Sequence, residues 1–484
     1  MKLTRRQALG LMAGAGVVGG CSGSGSEKPV RLPTIETDPD ARFLSRAGFG
    51  PKPGDIEELR SQGREAWLEE QLAPTSKEPI ALKLQLSMLA INNFKAFELR
   101  DWPKAEIVRQ SQQSDVLNAV MSPWQVRERM VDFWTNHFNI YANKSLAAYR
   151  IPTDQREVVR KHALGFFPDM LMASAKSTAM LLYLDQQASH YGQPNENYAR
   201  ELLELHSLGV EEGAYTQQDV MEVARCFTGW TENRSFWWGT GDFRFDPELH
   251  DTGEKTVLGH TIRHSGGVKD GEEVVRIVAE HPSTARHISR KLCQFFLGDD
   301  GAKVESAVAD AYLQEPVGDI VRMLRTILLS DELLTGAPTL KRPFDYVTSA
   351  LRALDASTDG KAPVLRHLSD MGQPTHLWPM PDGYPMEPEA WNGSMLGRWN
   401  FAIDLASNRI GGTKIDIPSL LGRYGANDRT EWVSAVFGTS SRSGRLDGFM
   451  DAISAGHTKE RPDNDREWEE LTALCLCSPE FQWR

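Results

Sequence analysis

The chain has 484 residues, 40% hydrophobic and 25% charged, ordinary globular values that exclude both a disordered chain and a multi-span membrane protein. A formal net charge of −12 excludes a broad nucleic-acid-binding face, because phosphate binding needs a local excess of Lys and Arg that no run here supplies. The length exceeds what one hydrophobic core usually holds, so one elaborated helical body or two closely docked units is expected.

Residues 1–21, MKLTRRQALGLMAGAGVVGGC, have the pattern of a twin-arginine export signal ending in a lipoprotein box. Arg5 and Arg6 precede a glycine-rich apolar stretch from Ala8 to Gly20, and Cys21 follows Val18-Gly19-Gly20. The apolar stretch is too short to span about 30 Å of hydrocarbon, so cleavage and lipidation of Cys21 are expected, with the membrane reached by the lipid anchor only. The implied location is the periplasmic face of the envelope, with the outer membrane preferred because Ser22, not Asp, follows the cysteine. Residues 22–37 read as a flexible tether and residues 38–484 as the folded body.

Four other cysteines, Cys226, Cys293, Cys475 and Cys477, form no CxxC or CxxCH pattern, so neither a thiolate zinc site nor covalent haem is indicated. Two disulfides are compatible with an oxidising compartment without being required by the spacing.

The body reads as mainly α: a multi-helix globular body with a small β-hairpin insertion and long ordered loops. Helical periodicity runs over Val108 to Met121, Pro123 to Tyr141, Glu157 to Ala175, Asn195 to Leu208, Thr216 to Phe227, Val274 to Glu280, Ser283 to Leu297, Lys303 to Leu313, Val317 to Leu328, Pro343 to Leu354 and Asp465 to Cys475. Alternating Phe243 and Phe245, then the short run Thr256-Val257-Leu258, predict one projecting hairpin at about 236–264. Five prolines make 372–393 an irregular ordered loop. Its Trp378, Tyr384 and Trp391 either serve a site or pin the loop down.

The stretch NENYARELLELHSLGV, Asn195 to Val210, carries the densest polar chemistry. On a regular helix Glu196, Asn197, Arg200, Glu201, Glu204 and Ser207 share one arc, and Tyr198, Leu202, Leu203, Leu205 and His206 fill the other. At about 100° per residue, His206 lies about 200° from Glu204 and about 140° from Glu201, so one metal cannot be gripped by His206 with either glutamate unless the helix breaks. Glu201 and Glu204 can converge. The plain reading is a solvated face with Glu196–Arg200 and Arg200–Glu204 ion pairs, and a core His206 bonded to a backbone carbonyl.

Thr216 and Asp219 form a capping pattern, Gly229 ends that helix, and Trp230 opens an aromatic group with Phe236, Trp237, Trp238, Phe243 and Phe245 that either stacks on sugar rings or forms a minor core. His137 follows Met130, Phe133 and Trp134 at helical spacing and points to the core side. His250 and Asp251 are adjacent at a turn, with Lys255, His260 and His264 beyond. Brought beside the carboxylate helix, they would make a mixed N/O site for a divalent metal.

The motifs FWTNHF, NENYARELLELHSLGV, YTQQDVMEVARCFTGW, HDTGEKTVLG, HPSTARHISRKLCQFF, MGQPTHLWPMPDGYP and SPEFQWR, in that order from about Arg42 to Arg484, together resemble the bacterial family catalogued as domain of unknown function 1800. The resemblance implies an exported protein without an assigned reaction, encoded beside a sulfatase-like family. The family's recurrent polar residues correspond to His137, Asn195, Glu196, Asn197, Arg200, Glu201, Glu204, His206, Asp219, Arg225, His250, Asp251, Lys255, His281 and Lys291.

Two functions compete. One is an accessory envelope lipoprotein that partners a sulfatase-like exported protein in polysaccharide handling, suggested by the lipid anchor, the aromatic hairpin with Trp230, and the absence of GxSxG, HExxH, Walker and GxGxxG signatures. The other is a metal-assisted hydrolase, less readily an oxidoreductase. Here Glu201 and Glu204 do acid–base work, His250, Asp251 and Glu204 hold the metal, Arg200 and Lys255 hold anions, and His137 serves as a supporting or proton-transfer group, with Asn197 and His206 nearby.

Overall fold

The computed structural model describes residues 38–75, 78–211, 213–233, 240–263, 266–438, 450 and 461–484. The export signal, Cys21, the tether, Phe236, Trp237, Trp238 and His264 lie outside the described residues.

Helices build the body, and two large hydrophobic clusters fill it. Phe133, Trp134, Phe167, Leu203, Val223, Ile288 and Phe296 belong to the first. Val116, Phe344, Tyr346, Phe401, Trp432 and Phe481 belong to the second. The helix Lys104–Met121 stitches them together: its Val108 joins the first cluster, and Val116, Ala119 and Val120 join the second. No helix of the described residues is long and apolar enough to cross a membrane.

Local chemistry sets most helix ends. Thr216 and Asp219 form a reciprocal capping box ahead of Gln217–Cys226. Asp319 accepts from Arg322 N and starts Ile320–Leu328, three residues later than the periodicity predicts. Val268–Ala279 starts six residues earlier than predicted, because Gly271 interrupts the apolar pattern. That glycine is required by packing, since a Cβ there would sit 2.5 Å from the Trp230 ring.

Two predicted helices are not regular. Instead of one helix over Glu157 to Ala175, the structure has a π-helical segment Gln155–Arg160 and a separate helix Phe167–Lys176, started by Pro168. The helix after Asn195 is α only over Glu196–Glu201 and continues as a π turn over Leu202–Ser207. Ser207 Oγ donates to Leu202 O at 2.6 Å, five residues back.

The predicted single hairpin is two ribbons. Trp230–Glu232 pairs antiparallel with Phe243–Phe245, and Lys255–Val257 pairs antiparallel with His260–Ile262. A third ribbon, Ser357–Thr358 with Thr413–Lys414, was not anticipated by any sequence signal. Trp230 is fully buried in the first core, edge-on to Phe227 and Phe243 with ring centroids 4.9 and 5.0 Å away.

Where the two cores meet, a buried ionic seam closes the structure. Asp345 pairs with Arg129, with Arg342 at 3.3 Å and with Arg484 at 3.6 Å, while Arg342 also pairs with Asp132. Burial acts to raise the Asp345 pKa, but the charges of Arg129, Arg484 and Arg342 outweigh it and hold the carboxyl well below its usual range. The segment 482–484 is bound beside Thr339–Lys341 through Thr339 N to Arg484 O and Arg484 N to Thr339 O, both 2.9 Å, and Lys341 N to Gln482 O, 2.8 Å.

Candidate functional site

His137 is the last residue of the helix Gln125–His137 and is buried, as its spacing predicts. His287 and Lys291 stand one turn apart on Pro282–Leu297, hence on one face. The π turn Leu202–Ser207 ends against them and leaves its last carbonyls without helical donors. Imidazoles take those carbonyls: His137 Nε2 lies 3.3 Å from His206 O, and His287 Nε2 lies 3.2 Å from Leu205 O. Lys291 Nζ lies 3.0 Å from His137 Nδ1. These partners fix the tautomer, with His137 Nε2–H donating to His206 O and Nδ1 accepting from the Lys291 ammonium.

Gly209 allows the approach. Its φ is +81°, and a Cβ would sit 2.7 Å from His287 Nδ1. His206 is a buried core histidine as expected, but the backbone-carbonyl bond expected of it is made by its neighbours, and its own Nε2 has no partner among the described residues.

Electrostatics keep the imidazoles neutral. Burial, then the Lys291 charge, depresses His137 well below its usual range, His206 to about 3 and His287 to about 4. Burial brings Lys291 down to about 8, opposed by Asp382. Burial, then Glu204 and Asp382, pushes the half-buried Glu201 carboxyl up, opposed by Arg200. Lys291, Glu201 and Asp382 therefore form one electrostatic neighbourhood.

The proline-rich loop roofs this centre and is clamped from both sides of His137. Asn136 Nδ2 donates to Tyr384 O at 2.9 Å, Tyr384 N donates to Asn136 Oδ1 at 2.7 Å, and Asn139 Nδ2 donates to Trp378 O at 3.0 Å and Met380 O at 2.6 Å. Tyr183 OH adds a bond to Pro379 O at 2.8 Å. A Cβ on Gly383, φ +79°, would lie 2.3 Å from Asn136 O, so the loop is pressed against the helix. The Trp378 and Tyr384 rings meet within the loop at 4.9 Å, tilted by 42°, which makes them pins, while Asp382 is carried at the exposed turn with Trp378 Nε1 3.2 Å away.

The polar arc of the Asn195 helix faces its neighbour. Arg200 pairs with Glu204 at 3.4 Å, as expected, but Glu196 bonds Gln217 Nε2 at 2.8 Å in place of Arg200. Arg200 Nη2 donates to Gln217 Oε1, also at 2.8 Å. Glu204 is half-buried and raises the Tyr215 hydroxyl after burial does, and Asn197 is exposed.

His250, Asp251 and Lys255 do not join this centre through any hydrogen bond or ion pair of the described residues. His250 Nδ1 contacts Thr228 O at 2.8 Å, and its Nε2 contacts Asp270 Oδ2 at 3.2 Å. Lys255 is buried on the same Asp270 oxygen at 2.7 Å, and Asp251 is gripped by Arg225 at 2.8 Å. These groups lock the second ribbon to its supporting helices. Among the described residues, no group of three or more His, Cys, Asp or Glu side chains is arranged to hold a metal ion. Cys226, Cys293 and Cys475 are buried free thiols and Cys477 a half-buried one.

The sequence reading named His137, His206, Glu201, Glu204 and Lys291 but missed His287, whose i,i+4 relation to Lys291 was visible, and Asp382, whose arrival is tertiary. It also missed a polar cluster under the loop, where His376 Nε2 meets Asp115 Oδ2 at 2.9 Å and Ser177 Oγ donates to the buried Asp154 at 2.5 Å. No curated protein and no solved structure matches this chain. One family model does, covering residues 42–483, and the chain belongs to that family, described as protein of unknown function (DUF1800).

Proposed function

We propose that this chain is an exported cell-envelope lipoprotein, anchored through Cys21, that binds a hydroxyl-rich saccharide with an anionic substituent at the Lys291 centre, as accessory to a sulfatase-like exported partner. The observation that carries the reading is Lys291 itself. Its half-buried ammonium rests on a neutral imidazole, with no carboxylate of the described residues near enough to pair with it. Buried cations are normally paired, so a sulfate or carboxylate of the ligand supplies the counter-charge. Glu201 and Asp382 alongside accept from sugar hydroxyls.

The test is retention of the mature protein on immobilised sulfated or uronic-acid polysaccharide against a neutral one. Wild type should be retained on the anionic matrix, and Lys291→Met should pass through. Passage of wild type through every matrix, together with recovery from native membranes without a partner, would overturn the reading.

A second reading, hydrolysis at this centre, is favoured by the opposed shifts of Glu201 upward and Lys291 downward, the pattern of groups tuned for proton transfer. A metal on His250, Asp251 and Glu204 does not fit, because the first two are committed to Thr228, Asp270 and Arg225. In this reading the purified protein shortens the polysaccharide, and Glu201→Gln, which keeps an oxygen to accept from a hydroxyl but cannot transfer a proton, abolishes the cleavage while Lys291-dependent retention persists.

A further inference from the structure

At the seam between the two cores the helix Pro39–Ala47, the helix Pro343–Ala353 and the segment 480–484 enclose about 40 Å³. Arg42, Lys341 and Arg484 line this cavity, with Ser45, Ser349 and Glu480. Three cations thus face one carboxylate inside the protein.

None of the three cations is fully satisfied. Arg42 Nε and Arg484 Nε are buried without an acceptor among the described residues. Lys341 is 6% exposed; its ammonium lies 4.0 Å from the centroid of the Phe481 ring, and no acceptor among the described residues reaches it. Burial, then the charge of Arg484, brings the Lys341 pKa down to about 7, which records the same shortage of negative charge. Glu480 Oε2 is also buried without a partner among the described residues, and of the three cations only Arg484 pairs with a carboxylate, Asp345 at 3.6 Å.

We propose that this cavity binds a small monovalent anion of halide size, held by Lys341, Arg42 and Arg484, which neutralises the seam and ties the two cores together. The volume sets the class. A site needs roughly 10–15 Å³ to admit one water-sized particle, so the cavity takes a halide and excludes a bulky anion. An ammonium whose nearest partner is only a ring face, beside guanidinium N–H groups without acceptors, offers donors to a spherical charge of that size. Neither saccharide binding nor lipidation enters this proposal, so it stands or falls apart from them.

The test measures thermal unfolding of the mature protein in sodium chloride against sodium gluconate at equal ionic strength. It is joined by anomalous diffraction from bromide-soaked crystals. The midpoint should rise with chloride and saturate, a bromine peak should occupy the cavity, and Lys341→Met should unfold at one temperature in both salts. Arg42→Gln, which removes the charge and keeps a shorter polar side chain, should weaken the chloride response if the lysine variant does not fold. Water density alone in the cavity, or equal wild-type midpoints in both salts, overturns the proposal.

Discussion

Lys291 donates to the Nδ1 of His137, which passes its own Nε2–H to the carbonyl of His206. The amine charge is the largest influence on His137 after burial. Replacing Lys291 with Met removes that charge, so the His137 pKa should rise, read from the imidazole resonances across a pH series. An unmoved titration would mean that burial alone sets it.

Asp154 is buried with Ser177 as its donor, and burial raises its pKa to about 6. Between the unfolded value of 3.8 and about 6 the folded chain holds more protons than the unfolded one. Stability therefore falls as pH rises through that window and stays low above it. Asp154→Asn keeps the acceptor for Ser177 and removes the titration. Its stability relative to wild type should grow by about 2–3 kcal/mol between pH 4 and 6.5 and then level off, as followed by urea unfolding.

Gly209→Ala combines a left-handed backbone with a Cβ driven onto His287. A loss of about 1–3 kcal/mol is expected, and His287→Ala should recover only the steric part, in a double-mutant cycle of unfolding free energies.

Asp345→Ala leaves Arg129, Arg342 and Arg484 facing one another in the seam. Removing one partner of a buried ionic group costs about 3–5 kcal/mol, so a large drop in the denaturation midpoint is expected. Glu273→Ala, which breaks an exposed pair with Arg276, should change stability by less than about 0.5 kcal/mol.

The proposed anchor has its own measurement. Intact mass of the protein from native membranes should begin at an acylated Cys21, and Cys21→Ser should leave the protein in the soluble fraction.

The helical body was legible because its signals are local. Thr216 with Asp219, Pro343 at a helix start, and the apolar stripe of Ile320, Met323, Leu324 and Ile327 act within a turn or two of chain. The site was half legible. His137 and Lys291 were within reach, but the π turn carries no periodicity that a regular helical wheel detects, and Asp382 arrives on a loop. The His250, Asp251 and Lys255 group looked like a site because Asp270, which consumes His250 and Lys255, sits on a helix whose start Gly271 concealed.

The surplus residue wound into Leu202–Ser207 makes this centre dependent on chain length as much as on side-chain identity. Excising one residue there would relax the coil to ordinary pitch and swivel everything downstream, withdrawing both carbonyls from His137 and His287 with every polar side chain still in place. Related chains that have lost the centre would then betray it by a one-position gap in that stretch, a scar that inspection of the polar residues alone would overlook.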